Sequence, residues 1–358
     1  MSEALQPGAT IGIVGGGQLG RMLAMAAARL GYRTIVLEPQ ADCPAAQVAN
    51  AHLASAYDDP EALAELARRC DVVTFEFENV PLATAEALAR GPAPLHPPAR
   101  ALEVAQDRLT EKTFLNGLGI ATAQFRAVDT EADARAALEA LGGEAILKTR
   151  RFGYDGKGQA RLSPGSDAAA AFRDLGGVPQ IMEALVDFDS EISVVAARDA
   201  EGRMAAFEPS RNVHREGILR SSHVPSGVAL TTEDAARAAA FQILEALDYV
   251  GVIGVEFFVL RDGTVLVNEI APRVHNSGHW TEAACAISQF EQHIRAICAL
   301  PLASTARHSD CVMENLIGSD VERVPDLLSE PGLVLHLYGK SEARSGRKMG
   351  HLTRLVRR

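Results

Sequence analysis

Lysine is nearly absent from this chain. Of its 35 basic residues only Lys112, Lys148, Lys157, Lys340 and Lys348 are lysines, so each is a candidate for a position that needs a compact ammonium ion. Lys112 falls in a helical-looking stretch and reads as incidental; the other four sit beside glycines or in strand-like segments. The five cysteines, Cys43, Cys70, Cys285, Cys298 and Cys311, contain no C-x-x-C pair and outline no disulfide framework, as expected in a reducing cytosol, and a structural zinc site is not expected. The opening MSEALQPGAT has an early acid and no apolar core, unlike a signal peptide. No apolar run approaches the ~20 residues of a membrane span. Internal repeats and low-complexity tracts are also missing. A formal net charge of −11 argues against general nucleic-acid binding and leaves any anionic ligand to local basic sites. The expectation is a cytoplasmic protein with neither nucleic acid nor membrane as partner.

What is present is ordinary for a globular protein: 358 residues, 47% hydrophobic and 23% charged. That length exceeds one ordinary core, so two or three domains are expected. Residues 10–38, TIGIVGGGQLGRMLAMAAARLGYRTIVLE, read strand, glycine loop, helix, strand. Gly15, Gly17 and Gly20 match G-x-G-x-x-G, and Glu38 lies near the place of an acid that holds a ribose, which points to an NAD-dependent oxidoreductase. Alone the signal is weak, because such a loop at a helix N-terminus suits any phosphate, ribose or carboxylate. DVVTFEFENV follows as a buried strand ending in Glu76 and Glu78. A doubly wound parallel α/β domain is therefore predicted for residues 1–98, with GPAPLHPP as the linker out of it. Ligands of such a sheet lie at the carboxyl ends of its strands, where Gln18, Leu19 and Glu76 fall.

ARALEVAQDRLTEKTFLNGLG reads as one helix stopped by Gly117 and Gly119, in which Arg108 is either a surface charge or a phosphate ligand. Residues 120–190 read as a small α+β lobe. EAILKTR places Lys148 in an apolar strand, where an unpaired ammonium would be costly. RRFGYDGKGQARL sets Gly153, Gly156 and Gly158 around Lys157, which suits a flap over a triphosphate: backbone N–H groups approach the oxygens and the ammonium neutralises charge. It is not a Walker A loop, because no G-K-[ST] opens a helix. IMEALVDFDSEISVVAARD brings Glu183 and Glu191 to a strand entry suited to an adenine edge and ribose hydroxyls. RNVHREGILRSSHVP contains His214, and TTEDAARAAAFQILEALDYVG is an amphipathic helix with Thr231 or Thr232 as N-cap. In the tail, 301–358, strands GLVLHLYGK and GHLTRLV flank SEARSGRK, a turn presenting Lys340, Arg347 and Lys348 either to solvent or to a second anion.

The chain is organised around 250–280, VGVIGVEFFVLRDGTVLVNEIAPRVHNSGHW. VEFFVL and TVLVNEI read as a hairpin about a two-residue Asp262-Gly263 turn. In that register Arg261 faces Thr264 and Glu256 faces Glu269. Like charges directly opposed on one face destabilise a sheet, so the two carboxylates need a cation, and Mg²⁺ fits because it prefers oxygen ligands and sits between carboxylates and nucleotide phosphates. A one-residue slip would separate them instead. Strict alternation points Asn268 to the other face; if it meets metal or phosphates, the strand must leave regular geometry there. A zinc pair of His275 and His279 is disfavoured, since Ser277 and Gly278 argue against a helix between them.

Together, GGGQLGRM, FEFENV, AQDRLTEK, GYDGKGQ, NEIAPRVHNSGHWT, HLYGK and SGRKMGH resemble the ATP-grasp superfamily, and most closely its N5-carboxyaminoimidazole ribonucleotide synthetase family. The resemblance covers nearly the whole chain and departs at Val274, where the family usually has proline. It implies an α/β ATP-grasp architecture: the N-terminal domain, a central ATP-grasp domain over 99–300 with its small lobe at about 120–190, and a β-rich C-terminal subdomain over 301–358. It implies a ligase that joins ATP, bicarbonate and 5-aminoimidazole ribonucleotide through carboxyphosphate, acting as a homodimer. ATP would be held by Arg108, Lys148, the flap Gly153, Tyr154, Asp155, Gly156, Lys157, Gly158 and Gln159, then Glu183, Ala184, Leu185, Val186, Glu191, His214, Asn268 and Glu269. Glu256, Glu269 and Asn268 would hold Mg²⁺, or Mn²⁺ in its place. The ribonucleotide would meet Gln18, Leu19, Glu76, Tyr154, Asp155, Arg273, His275, Ser277, Lys340, Arg347 and Lys348. Arg273, His275 and Lys148 would serve catalysis. A sister ligase such as formate-dependent glycinamide ribonucleotide transformylase would share the ATP site and differ in the acid; a non-catalytic nucleotide-binding module remains the other alternative.

Overall fold

Parallel strands need helices on both faces, and the first hundred residues supply them. In the computed structural model, which describes residues 3–153 and 157–356, β1 (Thr10–Val14), β2 (Arg33–Leu37), β3 (Ala51–Leu53) and β4 (Val72–Phe75) form a parallel sheet in the order β3-β2-β1-β4. Gln18–Arg29 connects β1 to β2 and Pro60–Arg69 connects β3 to β4, while Leu82–Ala89 follows β4. β4 is buried along its whole length, as its uninterrupted apolar run predicts for a parallel strand.

A second, antiparallel sheet contains β5 (Phe125–Val128), β6 (Ala145–Thr149), β7 (Gln159–Leu162) and β8 (Gln180–Ala184) in the order β5-β8-β6-β7. Glu131–Ala140 and Ala168–Asp174 cover one face around Leu147, Phe172 and Met182. The third sheet is the largest. It takes β9 (Ser190–Arg198), β10 (Met204–Ala206), β11 (Ser210–Arg215), β12 (Ile218–Val224), β13 (Gly251–Val259), β14 (Val265–Ala271), β15 (Asp310–Ile317), β16 (Leu333–Leu337) and β17 (Lys348–Val356). Their order is β14-β13-β9-β11-β12-β15-β17-β16, with β10 beside β9. The C-terminal strands therefore do not close a sheet of their own: Ser221–Val224 of β12 pair with Cys311–Glu314 of β15. The N-terminal unit is likewise joined by packing, since one apolar cluster runs from Ile11, Met22 and Leu23 to Val195, Val252, Trp280, Phe290 and Tyr338.

Three local expectations are corrected. The stretch from residue 99 to 119 is two helices, Ala99–Ala105 and Arg108–Gly117. Asp107 breaks it by capping the second, accepting from the amides of Leu109 at 3.0 Å and Thr110 at 3.2 Å. That puts Arg108 at a helix start. The helix Leu230–Ala246 is capped at Ala229 without a side-chain bond, because the Thr232 hydroxyl donates to the Gly263 carbonyl at 2.9 Å. The hairpin turn is not the two-residue kind. Gly263 donates to the Leu260 carbonyl at 2.9 Å and sits at φ +86°, with Leu260 donating to Thr264 at 2.8 Å, so Arg261 and Asp262 are the central residues and glycine closes the turn in the left-handed region. Val259 consequently pairs with Val265 and Phe257 with Val267, one step from the predicted register.

Asp107 also accepts from Arg150 Nε at 3.1 Å. Asp107→Ala should cost about 1–2 kcal/mol through the cap, with the loss of the Arg150 anchor added, read as a lower urea midpoint at unchanged slope. An unchanged midpoint would show that the helix start is fixed by other contacts.

Candidate active site

The one-step offset at the turn would put Glu256 opposite Asn268. A bulge restores the pairing: register shifts between Glu256 and Phe257, and Glu256 stands opposite Glu269 after all. The reason is burial. Val267 and Ile270, three residues apart, both pack into the apolar layer that contains Val255, Phe257 and Ile243, so Asn268 and Glu269 between them both turn to the opposite side. Asn268, Glu269, Glu256 and Phe258 line a cleft of about 730 Å³. The freed backbone of this edge strand is paired by the preceding helix and loop. Lys112 Nζ donates to the Asn268 carbonyl at 3.2 Å, the Ile270 amide donates to Glu111 at 2.7 Å, and the Val267 amide donates to Ala121 at 2.9 Å. Burial and the facing Glu269 raise the Glu256 carboxyl above its usual range. Two hard carboxylates and an amide oxygen on one side of a bulged hairpin form a donor set that fits Mg²⁺.

Across the cleft, Lys148 of β6 meets Glu183 of β8 at 3.0 Å, and Lys112 reaches the same oxygen at 3.5 Å. Lys112, read from sequence as incidental, is thus a buried member of the site, and its rarity as a lysine was the signal. Two ammonium groups share one carboxylate, so the trio keeps a net positive charge. The other Glu183 oxygen is buried with no protein partner among the described residues. Burial lowers the Lys148 pKa, partly against the pull of Glu183. Arg108 adds a guanidinium 3.4 Å from Glu269 and donates to the Gly153 carbonyl at 3.3 Å, tying the start of the glycine-rich segment to the hairpin. Gly153, Lys157 and Gln159 line the cleft, and Gly158 needs its glycine because φ is +70°. Tyr154, Asp155 and Gly156 lie outside the described residues. Glu191 and His214, on neighbouring strands β9 and β11, are hydrogen-bonded; burial pulls the imidazole pKa down, but Glu191, Glu256 and Glu269 carry it above the ordinary value. Ala184, Leu185 and Val186 are half-buried in the passage from β8 to β9.

The third wall joins the N-terminal sheet to the loop after β14. Its glycine loop does not await a dinucleotide. Gly16 donates to Glu38 at 2.9 Å, while Gly17 and Gly20 donate to the two oxygens of Glu76 at 2.9 and 3.0 Å. The protein's own carboxylates therefore occupy the amides that would bind a pyrophosphate, and the oxidoreductase reading fails on that ground. Glu76, expected against the ribonucleotide, faces this loop; Gln18, Leu19 and Glu78 face the cleft. Glu78, unassigned from sequence, bonds Arg273 Nε, and Arg273 Nη1 donates to the Val274 carbonyl at 3.1 Å. Burial works against the Glu78 charge, but Arg273 holds its carboxyl at about 2.

His275 enters the same wall. Its Nδ1 accepts from the Ser277 amide at 3.4 Å and lies 2.8 Å from the Ser277 hydroxyl. The ring proton therefore belongs on Nε2, which points to Glu256 at 3.6 Å. Burial, then Arg273 and Lys348, push the imidazole down to about 3, so His275 is a neutral donor toward the cleft. Gly254 beneath it is obligatory, since a Cβ there would stand 2.5 Å from the His275 Cβ. Ser277 is fully buried and orients the ring from behind. Asn276 lines the cleft and exchanges amide hydrogen bonds of 2.9 and 2.8 Å with Asn315 of β15, a tether that sequence reasoning missed. From the C-terminal strands only Lys348 reaches the lining; Lys340 donates to the Lys348 carbonyl at 2.8 Å and Arg347 to the Glu342 carbonyl at 3.1 Å.

Residues 113–290 match the ATP-grasp domain, residues 8–106 the ribonucleotide synthetase preATP-grasp domain, and residues 311–357 the phosphoribosylaminoimidazole carboxylase C-terminal domain. The N5-carboxyaminoimidazole ribonucleotide synthase of Brucella melitensis is 64% identical over 98% of each chain. The corresponding synthase of Pseudomonas aeruginosa is 45% identical, covering 96% of this chain and 93% of its own. Among solved structures, the Staphylococcus aureus synthetase complexed with ADP superposes at a TM-score of 0.94 with 38% identity, covering 99% of this chain and 94% of that one. The Aspergillus clavatus synthase in complex with ADP and 5-aminoimidazole ribonucleotide gives 0.92 with 32% identity, covering 98% and 94%.

Because Glu269 is the second cause of the raised Glu256 carboxyl, Glu269→Gln should lower the Glu256 titration midpoint in metal-free protein while burial keeps it above the ordinary carboxylate range. Carboxyl ¹³C chemical shifts followed against pH would read it; an unmoved midpoint would mean that the two groups do not interact.

Proposed function

The chain belongs to the N5-carboxyaminoimidazole ribonucleotide synthase family of ATP-grasp enzymes, and from that membership we propose that it carboxylates 5-aminoimidazole ribonucleotide with bicarbonate at the expense of ATP, giving N5-carboxyaminoimidazole ribonucleotide, ADP and phosphate in purine biosynthesis. The observation that carries this reading is a single cleft with two cationic ends, Lys148 and Arg108 at one and Arg273 and Lys348 at the other, with Glu256 and Glu269 also in its lining. ATP takes the end between the second and third sheets. Arg108, Lys148 and the flap 153–159 face its phosphates, Glu191 and His214 its ribose, and Glu183 with Ala184, Leu185 and Val186 its base. Glu256, Glu269 and Asn268 would hold Mg²⁺, with Mn²⁺ as a substitute, and such an ion supplies Lewis-acid neutralisation between nucleotide phosphates.

Bicarbonate is a poor electrophile, so one of its oxygens first takes the γ-phosphoryl group and ADP leaves, forming carboxyphosphate. Lys148 and Arg108 offset the charge on the transferring group. Arg273, its guanidinium plane fixed by Glu78 and the Val274 carbonyl, grips the carboxyl oxygens, and the neutral His275 adds an Nε2–H donor. The exocyclic amine then bonds to the carboxyl carbon, of carboxyphosphate or of CO₂ freed from it; phosphate departs and the nitrogen gives up a proton. Gln18, Leu19 and Arg273 position the ribonucleotide. Lys348 receives its phosphate, supported by Lys340 and Arg347, while Glu76 and Ser277 act indirectly through the glycine loop and His275. Flap closure keeps water from the labile intermediate. Family membership also supports a cytoplasmic enzyme acting as a homodimer.

Phosphate release should require ATP, bicarbonate and 5-aminoimidazole ribonucleotide together; activity with formate and glycinamide ribonucleotide instead would assign the chain to a sister ligase. Glu256→Ala or Glu269→Ala should abolish ATP turnover, and near-normal rates at low Mg²⁺ would overturn the metal assignment. Losing a charge-assisted bond of about 1.5–3 kcal/mol, Lys348→Ala should raise KM for the ribonucleotide roughly 10–100-fold and leave KM for ATP little changed. A rise in KM for ATP alone would move the ribonucleotide phosphate elsewhere.

A further inference from the structure

Away from the cleft, a second group of donors has no part in this chemistry. His336 of β16 and His351 of β17 stand directly opposite each other in register, their rings stacked at 5.4 Å. Both face Glu282, which lies in the short helix Thr281–Ala284 just after the cleft loop. Glu282 Oε2 is 3.3 Å from His336 Nδ1 and 3.6 Å from His351 Nε2, and all three ligand atoms fall within 4.8 Å of one another. None of the three lines the cleft.

We propose that Glu282, His336 and His351 form a binding site for Zn²⁺ or a similar borderline divalent transition metal, which staples the C-terminal hairpin to the central domain. Donors about 2.0–2.1 Å from a tetrahedral zinc ion lie roughly 3.3–3.4 Å apart, so two of the three separations are already close to that edge length. Two imidazoles and one carboxylate suit zinc, whereas Mg²⁺ prefers an all-oxygen set. The supporting shell is present as well. Tyr338, fully buried, places its hydroxyl 2.9 Å from His351 Nδ1, fixing the ring with Nε2 toward Glu282. The His279 ring lies tilted behind His351, centroids 4.8 Å apart, and is held by Gln289 at 3.0 Å. Glu282 and His336 are only half-buried, which leaves an entry path and a fourth position for water. The scarcity of paired cysteines speaks against a thiolate site and leaves this one open. The ion would tie the hairpin whose connection holds Lys340 and whose second strand opens at Lys348 to the segment following His275.

The test uses the full chain without an affinity tag, stripped with chelator and kept in excess Mg²⁺ so that the cleft carboxylates are not available. Calorimetric titration with Zn²⁺ should find one site per chain, and the wild-type melting temperature should rise on loading. Glu282→Gln and His336→Asn, neither of them in the cleft, should each remove that site and the thermal shift. Tyr338→Phe should weaken binding roughly 10–100-fold, and Co²⁺ should give the intense visible absorption of a four-coordinate complex in the wild type but not in Glu282→Gln or His336→Asn. Since binding and melting are read rather than turnover, failure here is separable from failure of the carboxylation reading. Undiminished Zn²⁺ affinity in both Glu282→Gln and His336→Asn would overturn the site. So would a wild type that takes up no Zn²⁺, reducing the cluster to a histidine–carboxylate ion pair.

Discussion

The extra residue at Asn268 is the constraint on which the cleft depends. The glycine-closed turn sets the hairpin one step out of the register that would oppose its two glutamates, and the bulge corrects it. Both neighbours of the bulged pair, Val267 and Ile270, are committed to the core, so the correction delivers two polar side chains to one face where alternation allows one. A bulge leaves backbone groups without ladder partners. Here the helix Arg108–Gly117 provides them through Glu111 and Lys112, and the same helix presents Arg108 at its first turn. Hairpin, helix and cleft charges are therefore parts of one arrangement.

Charge is managed by sharing. Glu183 serves Lys112 and Lys148, Glu78 holds Arg273, and the glycine-loop amides are met by Glu38 and Glu76. Each pairing lowers the cost of burying a charge, and the group of Lys112, Lys148 and Glu183 keeps a positive excess, which favours a polyanion. The opposed glutamates are managed only in part: Arg108 pairs with Glu269, while burial first and Glu269 second still hold the Glu256 carboxyl above its usual range. The glycine loop illustrates the converse. Its spacing matches a dinucleotide fingerprint, but a helix N-terminus accepts any anion, and two carboxylates from the same domain arrive first.

Much of this was readable from local chemistry. The parallel N-terminal unit, the small lobe, the flap base around Gly153 and Lys157 and the Lys148–Glu183 strands follow from apolar runs and glycine placement. The opposition of Glu256 and Glu269 was also reached, although through a turn of the wrong type whose error the bulge cancelled. What escaped were partners distant in sequence. Glu78 and Arg273, Asn276 and Asn315, and Lys112 and Asn268 meet only because strands and helices far apart in the chain are packed together, and no periodicity reports such a meeting.

Most element types, the rare lysines and the family were legible before any packing was known, because they rest on spacing and composition within short windows. The tertiary structure alone decided which carboxylates face the cleft and which face backbone amides, that the C-terminal strands extend the central sheet, and that Glu282, His336 and His351 converge. Those outcomes depend on which faces the core buries, and burial is a property of the whole chain.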